Sequence, residues 1–396
     1  MLRTDRRVDK QIMTVNGKLN LHRYSLKPAD PESKRRLLET EGLKRVVPLD
    51  ICLGVDNLPF KMTVGAMLKT AYWAQNQMSY RRASDAICSV SMIETNPETV
   101  RLVADHVGGV VFEEDMRAAS RLRDRFAVGG VDFGGGKVKD GILYIQTDGA
   151  TLNTRSKSDD GSTWRENKLG LVFSSDNIRY WTDVKGKRQH KIYKREYVSY
   201  VGSIDIFKWL LLSCAVRNGY GEYKKTVFLG DGATWIRNMV TELYPDAQQI
   251  LDFFHLSENV YKFAKALFKM DEAKYSPWAE DLCERLKASK YDEVLRDLRE
   301  YRENPPPNSD VNLYNYIENN INNIDYARYQ QEGYFIGSGA IESGNKLVLQ
   351  QRLKQPGMRW NEDTAQPMLT LKAKYESGLW EKDVVDTLKR KYENTL

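Results

Sequence analysis

Two periodicities divide the chain. From Thr63 to Gln77 apolar side chains recur at Val64, Met67, Leu68, Ala71 and Tyr72, the three-and-four spacing of a helix with one buried face. Ser79 to Ile87 reads as a second, short amphipathic helix, and Ser89 to Asn96 as a turn. Asn96 before Pro97 is an N-cap with proline at the first helical position, opening a helix through His106. A charged helix is predicted from Glu113 to Arg125. Near the start, Gln11 to His22 alternates apolar and polar residues around Asn16-Gly17, a hairpin signal. From residue 141 the pattern shifts to short, apolar, β-prone runs at 141–148, 168–173, 197–201, 226–230 and 248–255. Helical stretches separate the later ones at Ile204–Val216 and Ala233–Leu243. Residues 258–330 are helical and charged, broken at Pro305-Pro306-Pro307.

Three strands, a helix, a strand, a helix and a strand is the element order of the ribonuclease H-like fold. The predicted class is therefore α/β, a ribonuclease H-like core with a helical insertion, preceded by a mainly helical region. Residues 1–62 form a basic arm with a hairpin, and 63–128 a helix-turn-helix-like region with Arg81, Arg82 and Arg101 among its polar residues. The core occupies 138–257, the insertion 258–333, and 334–396 returns to the core. Gly129 to Lys137 reads as a linker, because a helix precedes these glycines and a strand follows, the reverse of a phosphate-cradling loop. Ser156 to Ser162 reads as a polar loop.

Charge sharpens this picture. The formal net charge is +6, and the first 45 residues alone supply it, with 12 Lys/Arg against 6 Asp/Glu. An arm of that kind suits a polyanion, although a solvated charged face explains it equally well. No apolar run reaches the length of a membrane span. The charged start is no signal peptide, so no membrane partner and a cytoplasmic location are expected. The four cysteines (Cys52, Cys88, Cys214, Cys283) are far apart and read as reduced, mostly buried thiols. Four scattered histidines and no cysteine pair disfavour zinc.

The candidate chemistry lies in two apolar strands that each run into Asp-Gly: Asp148-Gly149, and Asp231-Gly232 83 residues later. Such strands deliver a carboxylate to a sheet edge, where open α/β sheets bind ligands. Glu342, in the first turn of a helix that begins at Gly337-Ser338-Gly339 and runs to Leu353, is the third acid chosen. Asn345 and Lys346 share its face. Three such carboxylates suit two Mg²⁺, with Mn²⁺ able to replace them, and phosphodiester cleavage. Asp252-Phe-Phe-His255 is either a positioned acid/base at the end of the fifth strand or a cap with a satisfied histidine.

These residues carry a resemblance. Thr147–Ala150, Gly230–Ile236, Leu251–His255, Ile336–Ser343 and Arg352–Trp360, together with Val46–Asp50, Leu53-Gly54 and Ser79-Tyr80, are similar to bacterial insertion-sequence transposases. The groups they resemble are the ISKra/ISLre-type, relatives of the Mutator-like DDE superfamily. The resemblance implies a DDE triad of Asp148, Asp231 and Glu342 holding the metal, with Asp252-x-x-His255 as accessory motif and His255 catalytic. It implies binding of double-stranded DNA, both terminal inverted repeats and target, by a homodimer or higher oligomer associated with the nucleoid. Arg81, Arg82 and Arg101 would read the ends, and Arg352, Lys354, Arg359 and Trp360 would line the DNA path. A nuclease without strand transfer and a non-catalytic DNA-binding derivative are the rival readings.

Overall fold

The structure, a computed structural model, describes residues 2–41, 45–129, 138–158 and 161–393. The expected linker at 130–137 lies outside the described residues. By its internal contacts the chain separates into two compact units built from interleaved stretches. One comprises Met1–Arg117, Leu152–Arg165 and Leu347–Leu396; the other comprises Ala118–Thr151 and Glu166–Lys346.

In the first unit, β1 (Leu2–Thr14) and β2 (Gly17–Pro28) form an antiparallel hairpin with Thr14 opposite Gly17. The hairpin is longer than the alternation over Gln11–His22 predicts. Its outer part has few apolar residues and is joined instead by charge, since Asp5 meets Lys27 at 2.7 Å and Arg45 at 3.1 Å. Deeper in, Asp50 takes Lys10 and Arg23, with all three side chains nearly buried. Helices follow at Val64–Asn76 and Tyr80–Val90, where the periodicity places them, and the Thr63 and Ser79 hydroxyls cap them.

The next helix departs from expectation. Pro97–Ala127 is one 31-residue helix, so the charged stretch Glu113–Arg125 is a continuation, and of the two short helices expected around the turn only the first, Tyr80–Val90, is short. Asn96 does cap it, accepting from the Thr99 N–H at 2.9 Å. The run passes through Gly108 without breaking because helix Glu362–Glu376 packs there. A Cβ on Gly108 would sit 2.3 Å from the Pro367 carbonyl oxygen. The cysteine expectation needs correction too: Cys52 and Cys88 are exposed, and Cys214 is the one fully buried thiol among the described residues.

The second unit is built on a mixed sheet of five strands. β3 (Lys139–Asn153) and β4 (Trp164–Ser174) are followed by β5 (Ile178–Thr182) and β6 (Arg188–Ile192), which form a separate two-stranded hairpin. β7 (Glu196–Val201), β8 (Tyr223–Gly230) and β9 (Gln248–Leu251) complete the set. The sheet order is β7-β4-β3-β8-β9, with β8 parallel to both β3 and β9, and β4 antiparallel to β7. Its centre is apolar because the strands are: Leu143, Ile145, Val227, Phe228, Leu229 and Ile250 are all fully buried. Helices Ile204–Arg217 and Thr234–Leu243 connect β7 to β8 and β8 to β9. Beyond β9 the chain is helical as far as the loop at residues 333–338. The β5–β6 hairpin is an addition that the strand pattern did not predict.

Candidate active site

Parallel pairing fixes where the carboxylates fall. β3 and β8 run in register with Gln146 opposite Leu229, and β8 and β9 with Gly230 opposite Leu251. Carried one or two residues on, the same register sets Asp148, Asp231 and Asp252 side by side at the carboxyl end of three adjacent strands. The strand at Asp148 does not end there, contrary to the sharp turn expected at Gly149; β3 runs on to Asn153. Gly149 serves a close approach instead, since a Cβ there would meet the Glu166 carboxylate at 2.6 Å.

Asp148 is half-buried and its carboxyl is held above the ordinary aspartate range. Desolvation is the main cause and the negative charge of Asp231 adds to it. His255, the Gly149 N–H and the Asn345 amide oppose the shift, the last donating to Asp148 Oδ2 at 2.6 Å. Asn345 Oδ1, beside this contact, is buried with no partner. Asp231 stands where β8 gives way to a helix, and its Oδ1 accepts from the Ala233 N–H at 2.8 Å. The next residue must be glycine: Gly232 has φ +81°, and a Cβ would lie 2.7 Å from Leu251. The Tyr316 hydroxyl donates to the Asp231 carbonyl at 2.8 Å and ties the helical region to this corner.

Asp252 belongs to the architecture. It is fully buried and N-caps helix Phe253–Leu267 through the Phe254 N–H at 3.1 Å. It also accepts from the Ser338 N–H at 3.0 Å and from the Ser338 hydroxyl. Ser338 therefore does not cap its own helix. His255 lies in the first turn of the helix, not at the end of a strand, because β9 stops after four residues and Asp252 caps at once. Its ring is 3.7 Å from Asp252 and 4.0 Å from Glu258, about one-third exposed.

Glu342 falls in a six-residue helix, Gly339–Gly344, which continues into a π-helical turn, Asn345–Gln350, rather than one regular helix to Leu353. The Gln146 side chain on β3 accepts from the Ile341 N–H at 3.2 Å and anchors the start. The Glu342 carboxylate is exposed and makes no ion pair or side-chain hydrogen bond among the described residues. No three His, Cys, Asp or Glu side chains converge closely enough among the described residues to hold a metal ion. Asp148 and Asp231 fit a hard divalent cation by donor chemistry and by the repulsion it would relieve. Glu342 is not gathered with them. The residue at Asp148 that sequence reasoning left without a role is Asn345; its three-residue spacing from Glu342 was the available signal.

The matching profile spans most of the chain. The sequence profile of the uncharacterised protein family UPF0236 matches residues 74–391. The chain belongs to that family. No curated protein matches it. No helix among the described residues is long and apolar enough to cross a membrane.

The residues expected on DNA are placed differently from one another. Arg81, Arg82, Lys354 and Arg359 are exposed. Arg101 is held by Glu98 and by Asp105 at 2.7 Å, and burial pushes the Asp105 carboxyl up to about 6. Arg352 and Trp360 are buried, yet with Arg101, Arg155 and Arg359 they border a cavity of about 520 Å³. Arg352 is 2% exposed, donates to the Ala74 carbonyl at 3.0 Å, and stacks between Tyr80 and Trp360 at 4.5 and 5.1 Å. The Trp360 indole donates to the Leu353 carbonyl at 3.2 Å. The resemblance was the reason to expect them on nucleic acid, and their planar, amphipathic side chains make them good core partners.

Proposed function

We propose that this chain is a DNA transposase that cleaves phosphodiester bonds with divalent metal and joins the freed 3′-OH to target DNA. The observation that carries the reading is the in-register placement of Asp148 and Asp231 on adjacent parallel strands, with Asp148 desolvated and repelled by Asp231. The sheet order β7-β4-β3-β8-β9 supports a ribonuclease H-like core, which keeps three consecutive strands on one side and two later parallel strands on the other.

In this reading Asp148 and Asp231 would hold metal, and Glu342, exposed on its short helix, would have to move toward them to complete the set. Bound ions would neutralise the scissile phosphate and favour deprotonation of the attacking oxygen. The protein positions the rest. Asn345 orients the Asp148 carboxylate by fixing one oxygen, and the Ala233 N–H does the same for Asp231. His255 takes or relays a proton from the attacking water as the P–O bond to the 3′ oxygen breaks. The same in-line displacement, with that 3′-OH as nucleophile, then forms the new phosphodiester bond.

The test uses labelled duplex carrying the DNA that flanks this gene, incubated with Mg²⁺ or Mn²⁺ and the full chain. Wild type should nick at the element ends and give strand-transfer products; E342Q should abolish both while binding persists. Metal-independent cleavage, or E342Q activity within tenfold of wild type, would remove the triad. Cleavage without joined products would leave a nuclease.

A further inference from the structure

The β5–β6 hairpin and the three residues that lead from it into β7 carry a dense, uncompensated positive charge in the second unit. Residues 178–195 hold seven Lys/Arg against one Asp. None of the seven forms a salt bridge among the described residues, and Arg179, Lys185, Lys187, Arg188, Lys191 and Lys194 are exposed. The single acid, Asp183, is occupied in the turn, accepting from the Lys185 and Lys187 N–H groups at 2.9 Å.

The register makes the arrangement unfavourable in isolation. Arg179 lies directly opposite Lys191, and like charges at cross-strand positions destabilise a hairpin. Both crowd the exposed ring of Tyr193, at 4.6 and 5.4 Å from its centre. Trp181, 47% exposed, shares that face by alternation. The opposite face anchors the hairpin through buried Ile178 and Ile192 and through His190, stacked on Phe335 at 4.9 Å. The hairpin is thus fixed at its base, with cations at its turn and on its outer face. A cavity of about 710 Å³ is lined on one side by His190, Lys191 and Arg195, at the β6 end of the hairpin, and on the other by helix residue Phe254 and loop residue Gly337 beside the candidate site.

We infer that this hairpin holds double-stranded DNA by its phosphate backbone. Repelling, unpaired cations gain most when a polyanion supplies the missing charge and its counterions are released. A two-stranded ribbon is also narrow enough to follow a duplex groove. The exposed aromatics add contact with sugar and base edges. The inference deepens the transposase reading by naming a DNA-holding element outside the expected helical region. Its test reads binding alone, without divalent metal, and so succeeds or fails separately from cleavage.

Anisotropy of a labelled 30-base-pair duplex of random sequence, in EDTA over a series of KCl concentrations, gives the salt slope of log K. For full-length K185Q/K187Q/K191Q the slope should fall by about 2.7, roughly 0.9 for each lost phosphate contact. The control is K382Q/K389Q/K391Q in the helical segment between Trp380 and Tyr392, which removes equal charge from exposed positions given no role on DNA and should leave the slope unchanged. Circular dichroism melts check folding. Should the triple variant melt early, K185Q/K187Q, confined to the turn, should still lower the slope by about 1.8. An unchanged slope in a folded hairpin variant would overturn the inference. So would an equal loss in the control, or tighter binding of a single strand of the same length.

Discussion

Asp148, within β3, and Asp252, directly after β9, are two aspartates of the same sheet, and the two are treated oppositely. Asp252, after β9, is completely buried and accepts three hydrogen bonds, from the Phe254 N–H and from the N–H and hydroxyl of Ser338. Asp148, on β3, is half-buried and faces the like charge of Asp231, with the Asn345 amide and the Gly149 N–H as its donors. A carboxylate with saturated oxygens joins a helix start to a loop and has little left for a ligand. One that burial and repulsion disfavour is stabilised by any cation that arrives. Position in the sheet is therefore no guide to function here; the number of donors is.

The sharpest way to break this contrast is to neutralise Asp148. D148N should lower cleavage by three orders of magnitude or more, because metal-held charge at the phosphate contributes several kcal/mol. Activity within tenfold of wild type would make Asp148 a structural acid like Asp252. His255 lies between the two, 3.7 Å from Asp252 and within electrostatic reach of Asp148. If it serves the reactive side, H255A lowers cleavage by roughly 10²–10⁴-fold with an unchanged melt. A drop of several degrees in Tm with near-normal cleavage per folded molecule would assign it to the structural side.

Asp252 should show the reverse. D252A leaves the Phe254 N–H and both Ser338 donors unpaired and removes a helix cap, costing about 3 kcal/mol or more. Urea unfolding measures it; a loss under about 1 kcal/mol would show that water replaces the carboxylate at no cost. The smallest effect concerns pH. Because the Asp148 carboxyl is raised in the folded state, its contribution to stability is full below the unfolded value of about 4. That contribution is lost as pH rises through the folded value. D148N should therefore be more stable than wild type at neutral pH, with the advantage disappearing at acidic pH. Thermal melts across pH 3–8 test it, and a D148N protein less stable at pH 7 would contradict the assigned cause.

Much of the frame is legible in the chain. The caps at Thr63, Ser79 and Asn96, the apolar strands 226–230 and 168–173, and the helix after 204 all follow local rules. Local rules fail where a distant partner decides. Nothing near Gly108 says that Pro367 will cover it, so the long helix looked divisible. Nothing near Arg352 says that Tyr80 and Trp360 will enclose it. The β5–β6 hairpin had a signal, dense alternation of basic and aromatic residues, but its strands are too polar to register as core.

The sequence by itself determined the five core strands, the helices between the later ones and the Asp-Gly end of β8, because hydrophobic period and turn chemistry act over a few residues. Only the tertiary structure decided which carboxylate is saturated and which is left wanting charge. Ser338 reaches Asp252 from 86 residues away and Asn345 reaches Asp148 from 197. Desolvation and repulsion at Asp148 likewise depend on packing that brings Asp231 alongside. Hydrogen-bond saturation and burial are sums over neighbours in space, and the chain order does not contain those neighbours.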